Sequence, residues 1–196
     1  MIDIVSPMEE AITNADEVWE ALGHSAVAEA IPIIDRLVKV LRATKRISDS
    51  LLAAKLLSFV RDPSLQTPEA RAQMRERARS EDAKKIGETL FLVLERLTDM
   101  QKPKWLAKVF AAYLCGEITA SDIRRLSSAI DIAFGDDLIE LISSPEGTPL
   151  DEAAWKRNLL PSGLVGFHVI VPIGGSKTAY YVTDLGQMLR KAVRDH

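Results

Sequence analysis

Residues 86–134 read IGETLFLVLERLTDMQKPKWLAKVFAAYLCGEITASDIRRLSSAIDIAF, and their spacing makes this a helical protein. Ile86, Leu90, Val93, Leu94 and Leu97 recur at three and four residues, the period that lines one face of a helix, and Leu106, Val109, Phe110, Tyr113 and Leu114 repeat it. TDMQKPK lies between the two stripes, and Pro103 restarts the helix, which predicts an antiparallel pair sharing a core. Gly116 is placed to end the second helix as a left-handed cap. Thr119 opens TASD, a capping box in which Asp122 replaces the usual Glu or Gln. The helix that follows is expected to carry Ile123, Leu126, Ile130 and Phe134 inward and to close at Gly135. Asp136 is expected to cap a short helix, DDLIELI, before the turn SSPEGTP.

Toward the amino terminus the pattern continues. ISDSLLAAKLLSFVRDP predicts a helix that buries Leu52, Leu56, Phe59 and Val60 and stops at Pro63. In TPEARAQMRERARSED, Thr67 can cap and Pro68 fits the first helical position, but almost no apolar face remains. Its RERAR run reads as a solvated surface, because acids flank it. Val27, Ile31, Ile34, Val38 and Leu41 form one more helical stripe.

Toward the carboxyl terminus the character changes. After the short helical segment LDEAAWKRNLL, the β-branched stretch GFHVIVP and the segment AYYVT read as two strands, with Gly174 and Gly175 at the tip of a hairpin between them. DLGQMLRKAV returns to helix. The GGSKT at this tip resembles the end of a phosphate-binding loop only superficially. That loop needs a glycine immediately before its lysine and a helix after it, so that backbone N–H groups converge on phosphate. Here Ser176 precedes Lys177, Val171 stands where the first glycine would fall, and a strand follows.

Composition bounds the remaining possibilities. Across 196 residues, 47% are hydrophobic and 27% charged, as in an ordinary globular chain. The single cysteine, Cys115, excludes an internal disulfide and fits a reducing cytoplasm, the expected location. No secretory leader or membrane span is expected: the most apolar segment, from Ala26 to Leu41, is broken by Glu29, Asp35, Arg36 and Lys39. Net charge is −3, unevenly placed: residues 1–30 hold seven acids and no Lys or Arg, and residues 31–62 hold seven bases against three acids.

No catalytic set nominates itself. His24, His168 and His196 are far apart, and none stands at metal-ligand spacing from Cys, Asp or Glu. Asp131, Asp136, Asp137 and Glu140 are better explained by capping and solvation than by a bound cation. No cofactor or metal is expected.

Two resemblances narrow the reading. RISDSLLAAKLLSFV followed by residues 86–134 is similar to the helical core of bacterial and prophage proteins of the abortive-infection alpha type, through Tyr113, Leu114, Gly116, Glu117 and Ile118. That resemblance implies a cytoplasmic role in phage defence and transfers no catalytic residues. The tail resembles a winged-helix domain: three helix candidates, the step SGLV, a hairpin, then a Y-x-x-T-x-x-G helix in which Tyr180 or Tyr181 joins Thr183 and Gly186. If such a domain bound DNA, Lys156 and Arg157 would face the groove and Lys177 would ride the wing. Asp151, Glu152 and the acidic balance, with a pI ≈ 5.7, oppose that use.

The expectation is therefore a mainly α protein, a helical bundle over 1–118 with a winged-helix-like part over 119–196 containing one β-hairpin, the two packed as one unit. Its expected function is non-enzymatic protein interaction in antiphage defence or prophage biology, with a protein partner or a second copy of itself. A DNA-binding regulator is the first alternative. A peripheral membrane effector is the second, with Arg36, Lys39, Arg42 and Arg46 flanking the apolar stripe of the Val27 to Leu41 helix.

Overall fold

The structure, a computed structural model, describes residues 47–77, 81–145, 153–170 and 177–196. The expected Val27 to Leu41 helix with its four flanking bases lies outside them, as do Gly174 and Gly175, Asp151 and Glu152, and most of SSPEGTP. Among the described residues the chain is mainly helical, with eight α-helices and one carboxyl-terminal hairpin.

α1 (Ile47–Val60) buries Leu52, Leu56, Phe59 and Val60 as its spacing requires. A single 3-10 turn, Pro63–Leu65, follows it and is capped by the Asp62 carboxylate, which accepts from Ser64 N at 3.0 Å. α2 (Pro68–Arg77) begins with Pro68, and Thr67 Oγ1 accepts from Ala70 N at 3.1 Å. Its inward face is as thin as its sequence: Ala70 and Met74. α3 (Glu81–Arg96) carries the buried stripe Ile86, Leu90, Val93 and Leu94, which Leu97 extends past its end.

α4 (Lys102–Leu114) is buried on almost every side, from Trp105 and Leu106 through Phe110 to Leu114. A helix buried on most of its sides belongs at the centre of a core rather than in one half of a pair. Accordingly α4 is packed by α1, α2, the 3-10 turn, α5 (Ala120–Ile132) and, from the far end of the chain, α8 (Asp184–Asp195). The expected antiparallel pairing of α3 with α4 is thus corrected. α3 lies closest to α5 and α1, and its stripe meets that of α4 within one shared apolar cluster.

The capping box at Thr119 forms as its sequence predicts. The end of α5 does not. The helix stops at Ile132, Gly135 begins α6 (Gly135–Ser143) instead of closing α5, and Phe134 is its N-cap residue, 66% exposed. Asp136 therefore lies inside the first turn of α6. Gly135 abuts the Asp99 carboxylate, leaving no room for a Cβ and setting a negative charge at the N-terminus of α6, where the helix dipole favours it.

α7 (Ala154–Asn158) is short and leads through a second 3-10 turn, Leu160–Ser162, into β1 (Val165–Ile170). β2 (Lys177–Val182) pairs with β1 antiparallel, from Val165 opposite Val182 to Ile170 opposite Lys177. Lys177 and Thr178 thus open a strand, which rules out the phosphate-loop geometry. One apolar cluster runs from Leu52 to Val193, crossing the sequence-based boundary at 118.

Candidate functional site

The hairpin is held at its base by the residues of the Y-x-x-T-x-x-G pattern, and each has a physical task. Thr183 caps α8, its Oγ1 accepting from Gly186 N at 3.1 Å and donating to Gly163 O at 2.7 Å. Its backbone N–H donates to Leu164 O at 3.0 Å. Gly186 lies so close to the Leu164 carbonyl that a Cβ there would collide with it at 2.2 Å. Gly163, at φ 74, takes the left-handed conformation that turns the chain from the 3-10 segment into β1. Tyr180, three residues before Thr183, packs against the core; Tyr181 does not belong to this set.

Strand alternation then sorts the side chains. Val165, Phe167 and Val169 share one face with their partners Val182, Tyr180 and Thr178. This face is buried at its base, where Val165 is 3% exposed, and opens outward until Phe167 and Val169 are 53% and 57% exposed. The opposite face carries His168 stacked on Tyr181, with centroids 4.4 Å apart. Gly166, opposite Tyr181, provides the space, since a Cβ there would meet the phenol ring at 2.6 Å. The hairpin therefore shows a stacked ring pair, His168 on Tyr181, on one side and the exposed side chains of Phe167 and Val169 on the other. Ile132, Phe134 and Ile139 form a second, more scattered exposed group around the α5–α6 corner.

Of the basic residues expected to grip DNA, Lys156 and Arg157 part company. Lys156 is 2% exposed, with its ammonium 5.4 Å from the Trp155 ring centroid, so it is withdrawn into the protein instead of facing a groove. α7, a helix of five residues packed on α6, carries Lys156 on its inward side. Arg157 is exposed. Lys177 sits at the tip-side end of β2, opposite Ile170. Arg36, Lys39, Arg42 and Arg46 lie outside the described residues. No helix among the described residues is long and apolar enough to cross a membrane.

The four acids around α6 do not converge either. Asp131 pairs with Arg96 at 2.7 Å, and Asp137 is buried, accepting from Asn158 Nδ2 at 3.4 Å. Asp136 and Glu140 remain on the exposed surface. Two lysines are drawn inward to helix ends. Lys102 donates to Asp131 O at 3.1 Å and Lys55 to Glu95 O at 2.9 Å; desolvation holds both ammonium groups below the usual lysine range against the opposing pull of nearby carboxylates.

One constellation is invisible in sequence spacing. His196 Nε2 lies 3.2 Å from Glu117 Oε1, and Cys115 completes a group whose potential ligand atoms all fall within 4.8 Å of one another. No histidine stands at metal-ligand spacing along the chain, and the fold alone brings His196 beside Glu117 and Cys115. Beside the group, a cleft of ≈ 290 Å³ lies between the end of α4 and α8, lined by Glu117 and Ile118 from the first and by Gln187, Met188, Lys191 and Ala192 from the second. Comparison with family models, with curated proteins and with solved structures finds no match for this chain.

Proposed function

We propose that this chain is a non-enzymatic protein-interaction protein of antiphage defence or prophage biology, and that it docks its partner on the apolar face of the hairpin. One observation carries the docking claim: Phe167 and Val169 are more than half exposed side by side on a strand face that is continuous with the core. Exposed apolar side chains carried on a paired strand gain burial energy when a partner covers them. The element order α5, α6, α7, β1, β2, α8 supports a winged-helix-like reading of this part, and winged helices serve as packing and docking modules as well as DNA readers. Burial of Lys156 and a net charge of −3 argue against the DNA reading. The defence setting is supported by the sequence resemblance of the helical core.

The test is a photo-crosslinking residue introduced at Val169, with exposed Arg124 and Arg157 as comparison positions. Crosslinking in infected bacterial cells should give a discrete protein adduct from position 169 and none from 124. Equal labelling from all three positions would refute the docking face. Nucleic-acid adducts from position 157 would replace it with the DNA reading.

A further inference from the structure

The group formed by Cys115, Glu117 and His196 combines a thiol, a carboxylate and an imidazole, drawn from two ends of a helix pair 79 residues apart in the chain. Both halves are held in place by backbone geometry. Cys115 and Glu117 flank Gly116, whose φ of 79 ends α4 in a Schellman turn: Gly116 N donates to Tyr113 O at 3.0 Å, and Glu117 N to Ala112 O at 3.0 Å. This turn fixes the directions in which the two side chains leave the chain. His196 follows α8, which packs on α4 and is pinned there by Lys108 Nζ donating to Val193 O at 3.0 Å.

We propose that Cys115, Glu117 and His196 form a binding site for a borderline transition-metal ion, Zn²⁺ in the first instance. Sulfur, nitrogen and a single carboxylate are the donors such an ion prefers, whereas Ca²⁺ and Mg²⁺ call for oxygen shells. Bond lengths of about 2.0–2.3 Å around a tetrahedral ion place its ligand atoms roughly 3.3–3.8 Å apart. The His196–Glu117 separation of 3.2 Å lies just short of one such edge, and the thiol of exposed Cys115 stands within 4.8 Å of both partners. Three protein ligands leave one coordination position for water or an incoming donor. The bound ion would staple the end of α8 to the α4–α5 corner, beside the cleft that Glu117 also lines.

The experiment uses the full chain without a histidine tag, titrated with Co²⁺ as a spectroscopic stand-in for Zn²⁺. One tetrahedral cobalt per chain is expected, with a thiolate charge-transfer band that Zn²⁺ abolishes and a thermal midpoint that rises with metal. Cys115→Ser should remove the band. Glu117→Gln and His196→Ala should each weaken binding by roughly tenfold or more, since even groups that only support metal ligands cost about that much when removed. The proposal fails if no such band appears, if binding is untouched by Glu117→Gln and His196→Ala, or if it is lost instead on His24→Ala or His168→Ala. Circular dichroism of each variant separates lost binding from lost fold.

Discussion

Thr119 shows how much a single side chain settles locally. Its hydroxyl accepts from Asp122 N at 3.2 Å, and the Asp122 carboxylate accepts from both the hydroxyl and the backbone N–H of Thr119, at 2.7 and 3.0 Å. The hydroxyl's bond to the carboxylate, then the backbone bond, holds the Asp122 pKa below its ordinary value. A carboxyl group whose pKa is lowered by folding stabilises the native state above its unfolded pKa of about 3.9, and that contribution disappears as pH falls through the lower folded value. Thr119→Ala should cost about 1 kcal/mol at neutral pH, read by urea denaturation. Asp122→Asn should flatten the acid limb of the stability profile; an acid limb identical to that of the parent would show that the box carries no proton linkage. Such caps are legible in sequence because all their partners lie within four residues. The Cys115, Glu117 and His196 group is illegible for the opposite reason, since only the packing of α8 on α4 brings its members together.

At the scale of elements, the apolar period revealed which residues are buried more surely than what each helix touches. The stripes of α1, α3 and α4 are all internal as read. The alanines and Trp105 between the α4 stripe residues are internal too, and they make it a central helix instead of one member of a pair. Phe134 was misplaced because helical spacing continues through it, whereas the chain leaves the helix at Ile132 to bring Gly135 against Asp99. Phe110 packs against Phe59 and Tyr113, with ring centroids 6.0 and 6.2 Å away, and lies at the meeting of α1 and α4. Phe110→Ala should therefore destabilise by about 3–5 kcal/mol, seen as a lowered denaturation midpoint with an unchanged slope. A loss below about 1 kcal/mol would mean that α4 is not the centre of the core.

Across the whole molecule, α8 ties the carboxyl-terminal part to the rest by two separate means. Its apolar side, with Leu189, Ala192 and Val193, enters the common core, and its arginines bind the carbonyl end of α6. Buried Arg190 donates through Nε to Leu141 O at 2.8 Å, and Arg194 through Nη2 to Ile142 O at 2.7 Å and Ser144 O at 2.8 Å. Truncation after Pro145 strips both, so the shortened chain should lose cooperative unfolding and bind a hydrophobic dye. A sharp transition in the fragment would instead mean two independent units. The direct measurement of the functional account is phage plating on bacteria expressing the chain, comparing wild type with the Phe167→Ser, Val169→Ser double variant and with Arg157→Ala, after all three are shown to unfold at similar midpoints. The account predicts protection by the wild type and by Arg157→Ala and its loss in the double variant; protection that survives loss of the apolar face, or is absent from the wild type, would contradict it.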